Sequence, residues 1–260
     1  MIGIFDSGIG GLSVFKELSK LMPKESYVYF SDSLNCPYGP KKTDFIIDRS
    51  TKITYFLIEQ GADIIVVACN TATAAAISYL RSNFDLPFVG MEPAIKPAVL
   101  HSKSGVVGVL ATAGTLKGPL YLNTLAHFKG DVKVIERVGD GLVEAVEKAD
   151  FDSKDVKKLL RNYIEPMLNQ GADHIVLGCT HYPFLQRSIE EILDGRAEIV
   201  NPALAVAQQT LKLLKEQKAA PAKEQPFCKF YSSASFTEPI QIIIKSLTAA
   251  PCSFIDSFSI

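Results

Sequence analysis

The 260-residue sequence has almost no net charge, because 27 Lys and Arg balance 28 Asp and Glu to leave a formal -1. That excludes the basic footprint of a nucleic-acid or polyanion binder. Long hydrophobic runs are absent. The longest, such as Ile64 to Cys69, fall far short of the roughly 20 apolar residues that a membrane helix requires. The start, Met1 to Asp6, has no basic region followed by an apolar stretch. No signal peptide and no membrane partner are expected, and the reading is of a cytoplasmic protein. The common metal spacings are missing, since there is no CxxC pair and no HExxH. No metal is expected. Cysteine is scarce: Cys36, Cys69, Cys179, Cys228 and Cys252 are odd in number and widely scattered. A small disulfide scaffold is excluded, and a reducing compartment is expected.

What the chain does have is apolar surface, 47% of residues, enough for a packed core. Its length allows one large domain or two modest ones. Short β-branched runs read as buried strands: Ile2–Phe5, Tyr27–Phe30, Ile64–Ala68, Phe88–Gly90, Val106–Leu110, Val132–Ile135, Ile175–Leu177, Ile199–Val200 and Lys229–Ser232. Between them lie amphipathic patterns, such as Leu12, Phe15, Leu18 and Leu21, or Val156, Leu159, Leu160, Tyr163 and Leu168. Alternation of strand and helix predicts an α/β fold with parallel sheets covered by helices. The polar, Pro/Ala-rich segment 218–225 reads as a surface connection. A helical pattern follows at Ile240–Leu247, and residues 249–260 carry no clear periodicity.

An internal repeat organises the chain. Gly61-Ala62-Asp63 leads into Ile64-Ile65-Val66-Val67-Ala68-Cys69, and Gly171-Ala172-Asp173 leads into His174-Ile175-Val176-Leu177-Gly178-Cys179, 110 residues later. Ile2-Gly3-Ile4-Phe5-Asp6-Ser7 is echoed by Val107-Gly108-Val109-Leu110-Ala111-Thr112. Two echoes in one order predict two pseudo-symmetric α/β domains with the active site in the cleft between them. Pro93 and Pro97 mark a boundary, and the expected division is 1–92 plus 206–260 against 93–205.

Each repeat cysteine ends a strand and precedes a helical segment. Ligands of open α/β sheets bind at the carboxyl ends of strands, where a helix N-terminus favours a thiolate. Two acid/base groups on opposite sides of one carbon can remove an α-proton from one face and return a proton to the other, which inverts the centre. One sulfur is then expected as thiolate and the other as thiol. Cys36, Cys228 and Cys252 have no repeat partner and read as incidental. His181, two residues past Cys179, is placed to act on that sulfur. Cys179 with His181 lacks a third metal ligand at local spacing. The loop Asp6-Ser7-Gly8-Ile9-Gly10-Gly11 is not the dinucleotide fingerprint, because Ser13 replaces the third glycine. Asp6 is expected to accept from a substrate ammonium or to adjust Cys69. The turn Cys36-Pro37-Tyr38-Gly39 could offer a phenol and an N–H to a ligand.

The segments Phe5-Asp6-Ser7-Gly8-Ile9-Gly10-Gly11, Pro37-Tyr38-Gly39, Ala68-Cys69-Asn70-Thr71-Ala72 and Gly178-Cys179-Thr180-His181-Tyr182-Pro183 together resemble the glutamate racemases, in that family's order and from residue 1 to about 215. Phe230-Tyr231-Ser232-Ser233 resembles the aromatic-Thr/Ser strand near the family's end. The resemblance implies a cofactor-independent enzyme that interconverts L- and D-glutamate, the D-isomer feeding peptidoglycan. It implies Cys69 and Cys179 as the acid/base thiols, assisted by Asp6 and His181, and Glu147 as an auxiliary acid. It implies substrate contacts from Asp6, Ser7, Tyr38, Gly39, Asn70, Thr71, Thr112, Thr115, Thr180 and His181, and a homodimer. The chain departs from the family at Ser31-Asp32-Ser33, where Gly-Asp-Thr is usual, and at Gly118, which replaces an expected serine. Three alternatives stand beside this reading: a sister racemase acting on aspartate or a hydantoin, a hydrolase or transferase using one Cys with His181, and a non-catalytic amino-acid binder.

Overall fold

A computed structural model describes residues 1–128, 130, 132–216 and 225–260, so all of the expected connection 218–225 except Gln225 lies outside the described residues. The strands are β1 Ile2–Asp6, β2 Tyr27–Ser31, β3 Ile64–Val67, β4 Phe88–Gly90, β5 Val106–Ala111, β6 Lys133–Val138, β7 His174–Gly178, β8 Glu198–Val200, β9 Cys228–Ser232 and β10 Cys252–Ile255. They form one sheet in the order β10-β9-β2-β1-β3-β4 and another in the order β6-β5-β7-β8. Every pairing is parallel. β1, β2, β3 and β7 are buried along their whole length, which is why they read as continuous apolar runs rather than alternating ones.

The repeat is physical. The order β2-β1-β3-β4 matches β6-β5-β7-β8, so β1 corresponds to β5 and β3 to β7. The Gly-Ala-Asp leads do the same work in both halves. Gly61 and Gly171 each sit at φ +91°, a conformation that only glycine adopts freely. The N–H groups of Ala62 and Ala172 reach back to the Leu57 and Met167 carbonyls at 3.0 and 3.1 Å, closing the preceding helix with a Schellman turn. The N–H groups of Asp63 and Asp173 then bond to the Met1 and Val106 carbonyls, beside β1 and β5. This stop-and-turn fixes the register with which β3 and β7 enter their sheets.

Three expectations shift. The strand expected at 132–135 runs on to Val138 through Glu136 and Arg137, because β6 is an edge strand with an exposed face that tolerates charge. β10 was not foreseen; it is a four-residue, half-buried edge strand, too short to show a period. The division at 205/206 falls inside the helix Ala203–Glu216, which packs on the helix Leu12–Leu21. We therefore propose that the first unit resumes at Ala203, with β9 and β10 completing its sheet.

Candidate active site

Cys69 and Cys179 lie just beyond the carboxyl ends of β3 and β7, and both line one narrow cleft between the halves. Beside each runs the strand that its chain crosses back to, β1 or β5, so the cleft opens at the point where the connections diverge. The two sulfurs sit in different surroundings. Cys69 caps the helix Asn70–Asn83, and its Sγ accepts from the Ala72 N–H at 3.4 Å. The helix was expected to favour a thiolate there. Instead burial pushes the Cys69 thiol up to about 12, and the neighbouring Asp6 charge adds to the rise. The Ala72 and Ser7 groups pull the other way without winning, so Cys69 rests as a thiol. Cys179 does not cap an α-helix: the 3-10 turn Tyr182–Leu185 comes between it and the helix Gln186–Leu193. What it has instead is an imidazole: its Sγ lies 3.7 Å from His181 Nδ1.

His181 is buried and held at both nitrogens. Its Nε2 is 2.6 Å from Glu147 Oε1, which also accepts from the Ile9 N–H at 2.7 Å. Burial disfavours a charged ring. Hydrogen bonds to Cys179, Cys36 and Glu147 outweigh it and carry the His181 pKa well above the usual histidine range. The ring is therefore a proton store between a sulfur and a carboxylate. Glu147 comes from the helix Leu142–Glu147 of the second half, and Ile9 from the loop after β1 of the first.

The glycines of that loop explain how the halves meet. A Cβ on Gly8 would overlap the Glu147 carboxylate, and one on Gly10 would overlap the His181 ring and come within 2.7 Å of Thr180 Oγ1. Side chains of the second half occupy the space that a Cβ would need. Ser13 Oγ bridges the same seam, donating to the Thr180 carbonyl at 2.9 Å.

The model of the family described as Asp/Glu/Hydantoin racemase matches residues 2–210. A glutamate racemase of Herpetosiphon aurantiacus is 46% identical over 82% of this chain and 84% of its own length. One from Stutzerimonas stutzeri is 46% identical over 83% of this chain and 82% of its own. The chain belongs to the Asp/Glu/hydantoin racemases, and within them to the glutamate racemases. Among solved structures, Escherichia coli glutamate racemase, in complex with L-glutamate and an activator, superposes with a TM-score of 0.87 at 32% identity, covering 99% of this chain and 98% of that one. Glutamate racemase of Francisella tularensis, in complex with D-glutamate, gives 0.83 at 27% identity over 99% and 97%.

In this racemase the cleft is lined by Ser7, Tyr38, Gly39, Asn70, Thr71, Thr112, Thr180 and His181 together with the two cysteines. Thr71 Oγ1 and Thr112 Oγ1 meet across the seam at 2.8 Å. Asn70 Nδ2 donates to the Met91 carbonyl, which leaves its buried Oδ1 without a partner. A buried orphan acceptor in a cleft is costly until a donor arrives. Three residues expected as substrate contacts, and one read as incidental, sit differently from what their motifs suggest. Asp6 does not reach the cleft: it is fully buried behind Ser7, and its oxygens accept from the Gly8 N–H, the Ser7 hydroxyl and the Thr180 hydroxyl. Thr115 does not line the cleft either; its hydroxyl pairs with Thr112 at 2.9 Å and backs it. The Tyr38 phenol is not offered to a ligand, because it donates to Asp32 at 2.6 Å. Cys36 is not incidental: its thiol touches the His181 ring. Ligand atoms of Cys36, Glu147 and His181 lie within 4.8 Å of one another, a set that does not include Cys179. The 2.6 Å separation of His181 and Glu147 is a hydrogen bond, too short to span an ion between them. Sequence reasoning passed over Arg49 and met Asp32 only as the centre of Ser31-Asp32-Ser33, without assigning it a role.

Asp6 yields a pH-dependent expectation. Burial pushes its carboxyl up from the ordinary 3.8 to about 6, against the pull of the His181 charge and the Gly8 and Thr180 hydrogen bonds. A folded value above the unfolded one means that the native state holds the proton more tightly between pH 4 and 6. The Asp6 contribution to stability is therefore present at low pH and lost as pH rises through about 6. Asp6→Asn removes that loss. Its stability relative to the parent should climb across this window and level off above it, by on the order of 2 kcal/mol. Urea midpoints of both proteins at pH 4, 5, 6 and 8 read this; a difference that does not grow with pH refutes it.

Proposed function

We propose that this racemase interconverts L- and D-glutamate with its own side chains alone, one cysteine sulfur removing the α-proton and the other returning a proton to the opposite face. The observation that carries the reading is that Cys69 and Cys179, at equivalent strand ends of two related halves, line one cleft. In one direction a Cys179 thiolate takes the α-proton and the Cys69 thiol, kept protonated by burial, donates its own. The electron pair of the broken C–H bond passes into the α-carboxylate as an enediolate and returns to carbon. In the other direction the roles reverse. For the reverse direction Cys179 must begin as the thiol, and His181, which holds a proton 3.7 Å from Cys179 Sγ, can supply it to the thiolate without bulk water. Ser7 Oγ, 3.7 Å from Cys69 Sγ and 3.2 Å from Asp6 Oδ1, links the first sulfur to its buried carboxylate.

Substrate groups have partners of the right kind. The orphaned Asn70 Oδ1 is an acceptor for the ammonium. The first-turn N–H groups at Asn70 and Thr71, with the Ser7, Thr71 and Thr112 hydroxyls, suit carboxylates. The relatives whose structures hold L-glutamate and D-glutamate support glutamate as the substrate. The proposal extends to a cytoplasmic homodimer that supplies D-glutamate for peptidoglycan. Among the described residues no helix is long and apolar enough to cross a membrane. Sedimentation reads the dimer against a 28.4 kDa monomer.

The test is exchange in heavy water. The purified protein, without pyridoxal phosphate or added metal, should incorporate deuterium at the α-carbon of either glutamate enantiomer and invert it. No exchange with either enantiomer removes the racemase reading. Exchange with aspartate and not glutamate moves the substrate to the sister racemases.

A further inference from the structure

Tyr38 packs against the cleft, yet its hydroxyl is tied to a carboxylate that the reaction does not use. Asp32 is fully buried and accepts five side-chain hydrogen bonds. Tyr38 OH lies at 2.6 Å, Arg49 Nε and Nη2 at 3.0 and 2.8 Å, and Asn35 Nδ2 at 3.0 and 3.1 Å from its two oxygens. The guanidinium engages both carboxylate oxygens in the fork geometry that gives arginine its specificity. The Asp32 N–H donates to the Asp6 carbonyl at 3.0 Å, so the network is anchored to the end of β1. Burying such an ion pair adds little stability compared with apolar packing. Its position, one hydroxyl away from the cleft wall, gives it another use.

The third guanidinium nitrogen has a partner outside the Asp32 network. Arg49 Nη1 donates to the Ile260 carbonyl at 3.1 Å. Residues 252–260 reach that point along a fixed path. β10 pairs with β9, the Ser257 N–H bonds to the Ala234 carbonyl at 2.6 Å, and the Phe258 N–H bonds to the Ser232 carbonyl at 2.8 Å. The Phe258 ring then packs on Phe56 and Tyr231, with centroids at 4.9 and 5.1 Å. Phe258 and Ile260 pack against the same apolar cluster that holds Tyr38.

We propose that Asp32 and Arg49 are positioning residues for substrate binding, and that residues 252–260 form a strap behind them, so that the Pro37–Tyr38–Gly39 turn is held in place against the cleft. The proposal rests on the racemase reading above. Neither residue touches substrate or the reacting carbon; they set the wall that substrate meets. Loosening the network should therefore weaken binding of both enantiomers alike and leave the chemical step at the sulfurs largely intact. Hydrogen bonds to charged groups carry enough free energy for about a tenfold effect when one is removed.

The experiment measures kcat and KM in both directions for Tyr38→Phe, Arg49→Lys and a chain truncated after Asp256. Tyr38→Phe keeps the ring and removes only the hydroxyl, so it tests the idea even if a variant that disturbs the buried charge fails to fold. Each variant should raise KM for L- and D-glutamate by about tenfold while kcat moves by about twofold or less. Tyr38→Phe combined with the truncation should raise KM by clearly less than the product of the two single effects, because both act through one network. A purely structural role lowers Tm without moving KM. Folded variants with parental KM, or fully multiplicative effects in the pair, overturn the proposal. The parent protein assayed alongside separates the two readings. If it does not turn over glutamate, the racemase reading fails. If it does, and the variants bind as it does, only the positioning role fails.

Discussion

Cys69→Ala and Cys179→Ala should each lose racemisation by about a thousandfold or more. Inversion requires a proton to leave one face of the α-carbon and another to arrive at the opposite face, and each sulfur serves one face. Neither role has a substitute nearby. Behind Cys69 stands Ser7, whose hydroxyl is far too weak an acid or base, and behind it Asp6, sealed away from the cleft. Behind Cys179 stands His181, whose nitrogens are engaged by that sulfur and by Glu147. The variants differ from a simple dead enzyme in one respect. The sulfur that remains can still draw the proton from the enantiomer presented to it, so each variant should show residual α-exchange in heavy water with one enantiomer and none with the other. The two variants should prefer opposite enantiomers. Chiral chromatography of the exchanged product reads both results. Near-parental inversion by either variant would discard the two-sulfur mechanism.

Gly10→Ala should cost about a hundredfold in kcat although it adds only one methyl group and removes no catalytic group. The β-carbon would overlap His181 Nδ1 and Cε1 and crowd Thr180 Oγ1. Gly10 is not among the positive-φ glycines, so the backbone accepts alanine and the strain falls on the facing side chains. The ring cannot retreat, because Nε2 is held by Glu147. It must tilt away from Cys179, and a proton transfer that depends on reach suffers first. Thermal unfolding should remain cooperative with a modest fall in Tm, while kcat falls in both directions. Parental kcat in a folded Gly10→Ala protein would show that the close approach of the halves at this loop does not set the His181 geometry.

Much of the fold could be read in the chain because its physics is local. Continuous apolar runs become fully buried parallel strands, and the repeated Gly-Ala-Asp becomes a repeated helix stop with glycine at the same φ of +91° in both halves. The sheet edges were less legible. β6 carries charge on an exposed edge, and β10 holds four residues, too few for a period to emerge. The site divides along the same line. Cys69, Cys179, His181 and the glycine loop stand out because strand ends and turns are local features. Cys36, Asp32 and Arg49 reach the site only through tertiary contacts, Cys36 against a ring 145 positions away and Arg49 by joining Asp32 to Ile260.

By itself, the sequence determined the near-neutral charge, the scarcity of cysteine, the two-fold α/β plan and the pair of cysteines that ends equivalent strands. The tertiary structure decided which of those groups meet and in what protonation state. Burial beside Asp6 makes Cys69 a thiol where a helix N-terminus alone would favour the thiolate. The same burial seals Asp6 from the cleft, and the Asp32 carboxylate turns the Tyr38 phenol away from it. Desolvation and competing hydrogen-bond partners depend on what surrounds a group in space, and residue spacing along the chain does not encode that surrounding.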